Sequence, residues 1–464
     1  MPATEVLRGH LAPRASRAVK PALSYIQAFL DGQKRPWSLQ DSDEGSIVMT
    51  MAENKLCNDM LQERILKLQG CPQDVLCYDD FTGKQRLREA MAQLLEDTFM
   101  KGISVSPSHL AVLTGCGAVI DNLVFCISSP GDGILIPAPY YPAFDNDLEI
   151  RCQAVPVGFT LDESLDIALQ LDTAAAASKA AGHPVAALLL TNPNNPLGTI
   201  YLDATIVSCL RWCCAHTVHM ISDEIYGSTV FDLDTAPFVV SAEVVARREQ
   251  QPGTATTTAT TTTSQEGAPT GTPCLGPEVE DLLHIVWGLS KDFGASGLRV
   301  GCLHSRNALL LKAFGNLSYF AGVSGHTQHL VATLLSDRAW VMGFLEANRE
   351  RMRDAYRGLT EALDVAGIPH LRAVGAMFCW VDLREALPSP DWDGEAVLWR
   401  ELVEQQHLVI TPGNVCHAAE PGYFRICWSW VDPAALPVAV ARISKVLEAQ
   451  RTICSGQQGL RQTL

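Results

Sequence analysis

Short apolar runs alternating with helix-like segments constrain the fold of this chain more than any other feature. Ile134-Leu135-Ile136, Val185-Ala186-Ala187-Leu188-Leu189-Leu190, His219-Met220-Ile221 and His284-Ile285-Val286-Trp287 read as strands, and 174–181 and 204–215 read as helices between them. From 85 to 99 the apolar residues fall three and four apart, the spacing of one helical face. Short strands separated by helices predict an α/β domain whose mostly parallel sheet is covered on both sides. The last third changes character. Residues 338–366 read as one long amphipathic helix stopped at Gly367; strand-like 377–381 and 423–427 follow, then a helix over 434–449. This predicts an arm over 1–45, a large domain over 46–310 and a smaller α+β domain over 311–464. The Thr/Ala tract within 250–277 has too little apolar surface to order itself and reads as an exposed insertion.

Composition excludes several classes. Apolar residues make up 47% of the 464 and charged residues 19%, enough for a large core without metal or disulfide staples. The net charge of −16 argues against partners rich in phosphate, both nucleic acid and anionic membrane surfaces. Spanning a bilayer takes an apolar run of roughly 18–20 residues; the nearest stretch, 110–127, contains Asp121 and Asn122. The 15 cysteines are odd in number and include no C-x-x-C pair, which predicts reduced thiols and no metal site. A cytoplasmic location is expected. Arg8, Arg14, Arg17 and Lys20 against the single acid Glu5 give a faint resemblance to a mitochondrial transit segment.

Three of the strands run into polar residues. Leu188-Leu189-Leu190 leads to Asn195, Met220-Ile221 to Asp223 and Tyr226, and Ile285-Val286-Trp287 to Ser290 and Lys291. Open parallel sheets bind ligands beyond the carboxyl ends of their strands, so one cleft receives all of these. Singly they are weak signals: a strand-end Asp commonly caps a helix, and a lone Lys is usually solvated. Together, a lysine, a carboxylate, a phenol and an amide suit pyridoxal phosphate (PLP). The lysine forms a Schiff base, the carboxylate keeps the pyridine nitrogen protonated, and the phenol and amide bond the ring oxygen.

Gly288-Leu289-Ser290-Lys291-Asp292-Phe293-Gly294-Ala295-Ser296-Gly297-Leu298-Arg299-Val300-Gly301 resembles the lysine signature of fold-type I (class I/II) PLP-dependent aminotransferases. Within that class the sequence is most similar to 1-aminocyclopropane-1-carboxylate (ACC) synthases and ACC synthase-like proteins. The similarity runs through Ala52-Glu53-Asn54-Lys55-Leu56, Tyr78-Asp79-Asp80-Phe81-Thr82-Gly83, Pro139-Tyr140-Tyr141-Pro142-Ala143-Phe144-Asp145, Ile221-Ser222-Asp223-Glu224-Ile225-Tyr226 and Glu420-Pro421-Gly422-Tyr423-Phe424-Arg425.

The resemblance implies a role for each matching position. Lys291 is the Schiff-base lysine and the base for the Cα proton, and Asp223 partners the pyridine nitrogen. Tyr226 and Asn195 bond the ring oxygen. Tyr141, in preference to Tyr140, stacks on the ring. Arg299, Ser290, Gly117 and Ala118 hold the phosphate, Arg425 grips the substrate carboxylate, and Glu53 serves a sulfonium substrate. Three positions depart from the synthase pattern. Phe81 stands where a tyrosine reaches the partner subunit's phosphate, Ala118 replaces a hydroxyl residue, and Gly288 stands where serine is common. Each lost hydroxyl removes a bond worth about 0.5–1.5 kcal/mol. The implied protein is a homodimer acting on a small amino acid. Its expected reaction converts S-adenosylmethionine to ACC and methylthioadenosine, with transamination or β-eliminating C–S cleavage as the alternative on the same scaffold.

Overall fold

The computed structural model describes residues 11–461 except 13, 14, 20–22, 41–43, 69, 233, 235–237 and 251–274, and the backbone alone over 452–461. Most of the Thr-rich tract, and Arg8, Arg14 and Lys20, therefore lie outside the described residues.

Among the described residues thirteen strands form three sheets. They are β1 (Ile47–Val48), β2 (Leu110–Leu113), β3 (Gly133–Ala138), β4 (Val155–Thr160), β5 (Val185–Thr191), β6 (His219–Asp223), β7 (Leu283–Gly288), β8 (Gly301–Ser305), β9 (His370–Leu371), β10 (Phe378–Asp382), β11 (Leu408–Val409), β12 (Thr411–Pro412) and β13 (Tyr423–Cys427). The large sheet has the order β2-β8-β7-β6-β5-β3-β4. Its strands are parallel except β8, which runs against both β2 and β7. A four-stranded antiparallel sheet, β12-β13-β10-β9, and the parallel pair β1-β11 complete the set.

The strand sequences explain why the large sheet is sandwiched. Successive side chains point to opposite faces. Leu188, Leu190, Met220 and Ile285 therefore join the core on one side, while Ala187, Leu189, Ile221 and Val286 join the core on the other. The first core is closed by the helices Gln85–Asp97, Ile167–Ala180 and Asp203–His216, and the second by Cys116–Ile127 and Ala308–Leu317.

The long helix expected over 338–366 is Arg338–Val365. The Asp337 carboxylate caps it, accepting from the Trp340 N–H at 3.1 Å, and Gly367 ends it at φ +65°. Its apolar stripe changes allegiance along its length. Val341, Phe344 and Leu345 pack in the first core, whereas Met352, Ala355, Leu359 and Leu363 pack in a third core around the small sheet. The helix thus ties the two sheets together. The division expected at residue 310 is crossed in both directions. β1 pairs with β11, while the helix Gly325–Ser336 packs on Gln85–Asp97 of the large layer. The last helix runs Ala435–Arg461, past the expected end at 449.

Candidate active site

The register of the large sheet sets the site. Thr191 lies opposite Asp223, and Asp223 opposite Val286, so β5, β6 and β7 end close to one level. Beyond these ends is a cavity of about 240 Å³. Among its lining residues are Gly117, Tyr141, Asn195, Asp223, Tyr226, Ser290, Lys291 and Arg299. The topology therefore brings together eight of the positions singled out in the sequence.

Asp223 is buried, and its Oδ1 accepts from the Ile225 N–H at 3.3 Å. Burial pushes its carboxyl up to about 7, with the Ile225 bond and the nearby Lys291 charge pulling the other way. A carboxylate so placed calls for a cationic N–H beside it. Burial lowers the Lys291 ammonium pKa, while Cys427, Glu53 and Cys116 oppose the shift. The Lys291 Nζ donates to the Ala52 carbonyl. A lysine biased toward its neutral amine is suited to nucleophilic attack and proton transfer.

Arg425 does not line the cavity; it stands directly behind it. Its Nη1 donates to Asn195 Oδ1 at 2.8 Å, and Asn195 Nδ2 donates to the Tyr226 hydroxyl at 3.4 Å. Nη2 donates to the Thr50 carbonyl at 2.9 Å and to Thr411 Oγ1 at 3.2 Å, while Nε has no hydrogen-bond partner among the described residues. The side chain is 0% exposed and lies over the Phe378 ring at 4.6 Å. Among the described residues no carboxylate pairs with it. A buried cation without a counter-ion is costly, and an incoming carboxylate relieves that cost.

The opposite end is built for a larger anion. Gly115, at φ +93°, starts the helix Cys116–Ile127. A Cβ there would lie 2.6 Å from Arg299 Nη2, so only glycine lets the guanidinium rest over the helix start. Arg299 donates to the carbonyls of Ser296 (3.0 Å) and Thr114 (3.5 Å) and has no carboxylate partner among the described residues. A helix N-terminus with a guanidinium above it binds phosphate.

The three departures have local explanations or consequences. A Cβ on Gly288 would meet the Val300 carbonyl oxygen at 2.7 Å and Cys116 Sγ at 2.9 Å, so this backbone excludes serine there. Ala118 does not line the cavity but packs against the second core. Phe81 sits edge-on to Tyr319 at 5.0 Å.

Glu53 also stays out of the cavity lining. Its Oε1 accepts from Ser296 Oγ at 2.5 Å, and its carbonyl accepts from Ser429 Oγ at 2.8 Å. Tyr141 faces the cavity, edge-on to Phe144 at 5.2 Å, while Tyr140 points away to stack on His417. Sequence reasoning missed Cys116 and Asp147 in the lining, and Thr50 and Thr411 on Arg425. Burial and the Asp121 charge push the Asp147 carboxyl up to about 6. These positions come from four separate parts of the chain, and no local pattern marks them.

The sequence profile described as aminotransferase class I and II matches residues 46–443. 1-Aminocyclopropane-1-carboxylate synthase 6 of Arabidopsis thaliana is 33% identical over 433 residues, covering 90% of this chain and 82% of its own. 1-Aminocyclopropane-1-carboxylate synthase 2 of Solanum lycopersicum is 32% identical over 447 residues, covering 91% and 85%. In three dimensions a Thermus thermophilus aspartate aminotransferase double mutant superposes with a TM-score of 0.71 at 20% identity, over 94% of this chain and 99% of that one. An aromatic aminotransferase from Pyrococcus horikoshii gives 0.68 at 18%, over 89% and 100%. Both structural likenesses speak to the fold.

Proposed function

The chain belongs to the class I and II aminotransferase family of PLP-dependent enzymes, and we propose that it catalyses the ACC synthase reaction within that family. The reaction converts S-adenosylmethionine to ACC and methylthioadenosine. One observation carries the assignment of cofactor and substrate class. Two guanidinium groups have no carboxylate partner among the described residues: Arg299, which lines the cavity that holds Lys291 and Asp223, and Arg425, which is bonded to the lining residue Asn195. Phosphate suits the first, on its helix start, and an α-carboxylate suits the second. Identity of about one third of positions to ACC synthases supports the synthase branch.

When bound, PLP supplies an aldehyde that captures the substrate amine and a ring that takes up the electron pair left at Cα. The residues divide the remaining work. Asp223 keeps a proton on the pyridine nitrogen, and Tyr226 and Asn195 bond the ring oxygen. Tyr141 packs on the ring face. Arg299, Ser290 and the Gly117 N–H hold the phosphate. Arg425 orients the α-carboxylate, which sets the Cα–H bond relative to Lys291. Lys291, the covalent anchor before substrate arrives, then takes the Cα proton. The pair of electrons freed at Cα closes onto Cγ and expels methylthioadenosine, completing the three-membered ring. Glu53, bonded to Ser296 outside the cavity lining, contributes a negative charge that opposes the lowering of the Lys291 pKa.

The test is product analysis. PLP-loaded protein incubated with S-adenosylmethionine should release ACC and methylthioadenosine in equal amounts by mass spectrometry. Keto acid from an amino acid panel with 2-oxoglutarate, or pyruvate release, in the absence of ACC would sink the synthase reading and leave a transaminase or C–S lyase.

A further inference from the structure

Tyr140, next in the chain to the cavity-lining Tyr141, points the other way into a cluster that the chemistry above does not use. Its ring stacks on the His417 imidazole, 4.1 Å between centroids and 15° between planes. Its hydroxyl donates to Asp145 Oδ1 at 2.8 Å, and its N–H donates to the Cys416 carbonyl at 2.8 Å. Asp145 Oδ2 meets His417 Nε2 at 2.8 Å. On the far side the ring lies against β4, where a Cβ on Gly158 would come within 3.3 Å of it. His417 is held at φ +59°, a left-handed conformation that a non-glycine residue keeps only when its surroundings fix it. The His417–Asp145 pair is about two-fifths exposed, and such a pair contributes little to global stability. Its position gives it another role. Tyr140 and Asp145 flank the segment that projects Tyr141 into the cavity. His417 closes the turn after β12, whose Thr411 accepts from Arg425.

We propose that Tyr140, Asp145 and His417 form a positioning clamp that holds Tyr141 and the Arg425-bearing sheet in register, and so sets affinity for cofactor and substrate carboxylate together. This rests on the reading that the cavity holds PLP.

The test compares His417→Asn, Asp145→Asn, their double variant and Tyr140→Phe. Asparagine tolerates the left-handed conformation, so the first change removes the imidazole without adding backbone strain. Two affinities are read by absorbance: PLP for the apoprotein, and 2-aminoisobutyrate, an amino acid with no Cα hydrogen, for the loaded protein. Each single Asn variant should weaken both by roughly three- to thirtyfold, the span expected for coupling through a packed network. The double variant should be no weaker than the weaker single variant, because one unit is already broken. Tyr140→Phe, the mildest change, should shift both affinities in the same direction by less. Affinities within twofold of wild type in both Asn variants, or losses that add in the double, would reduce the cluster to a surface ion pair and overturn the proposal. A wild-type protein that binds no PLP would overturn the cofactor reading, and the clamp with it; normal PLP binding with unmoved variants would overturn the clamp alone.

Discussion

Asp223 and Arg425 are both buried, and no hydrogen bond or ion pair joins them. For Asp223 the consequence is a pH dependence of known sign. In the folded protein burial pushes its pKa up to about 7, above the ordinary carboxylate range near 4. The folded apoprotein therefore binds the proton more tightly than the unfolded chain does. The stability this contributes is full below pH 4 and is lost as pH rises toward 7. Glu224 and Asp292, also pushed by burial to about 7, act in the same direction. Asp223→Asn should thus raise the apoprotein's melting temperature at pH 8, by about 2–4 °C for each kcal/mol relieved. It should also weaken PLP binding, because the amide cannot hold the pyridine proton. Scanning fluorimetry with and without PLP reads both, and a destabilised apo variant at pH 8 would contradict the account. Arg425→Lys keeps the charge and loses the fork. A charge-assisted bond is worth about 1.5–3 kcal/mol, so amino acid affinity should fall roughly ten- to a hundredfold while the PLP absorbance stays. Asp223 was legible as a polar residue at a strand end, whereas Arg425, in the middle of β13, was marked only by the family resemblance. The Asn195 bridge joining Arg425 to Tyr226 was not legible, because its members lie 230 and 31 residues from Asn195.

At the scale of elements, periodicity did well where one apolar stripe runs unbroken along a helix, even when that stripe meets two cores. Residues 338–365 carry an unbroken helical stripe between Asp337 and Gly367, and both ends were readable. The two punctuating glycines of this region should behave oppositely. Gly367 is left-handed, so Gly367→Ala should destabilise by about 1–2 kcal/mol. Gly358 sits mid-helix with open space around it, so Gly358→Ala should stabilise by about 1 kcal/mol. Urea unfolding of the two variants checks the signs. Elements escaped notice where their pattern was short or mixed. β2 hides inside one apolar run with the helix that follows it, and β8 reads Gly-Cys-Leu-His-Ser, which has no strand signature. β8 exists because β7 and β2 offer it two edges.

Across the whole molecule, the long helix and β1 cross between the sheets, which keeps Arg425 of the small sheet against Asn195 of the large one. An aromatic group stands out on the exterior. Tyr78 is 93% and Phe320 81% exposed, and Tyr319 packs edge-on to both Phe81 and Phe320. Exposed apolar surface of this kind marks an association site. We propose that it is the homodimer contact, since Phe81 is the position expected to face the partner subunit. Phe320→Glu should shift the sedimentation mass from dimer to monomer, whereas an unchanged dimer would place the contact elsewhere.

The sequence by itself determined what each segment could become. Continuous apolar runs marked the strands that are buried on both faces, and the resemblance of the segment around Lys291 to a family signature marked the cofactor, because both are local in the chain. Only the tertiary structure decided which groups meet. It left Arg299 and Arg425 without carboxylate partners among the described residues, kept Glu53 out of the cavity lining, and stacked Tyr140 on His417 while Tyr141 faces the cavity. These outcomes depend on strand order, on register and on where a Cβ fits, as at Gly115 and Gly288, and such long-range packing constraints leave no local trace in the chain.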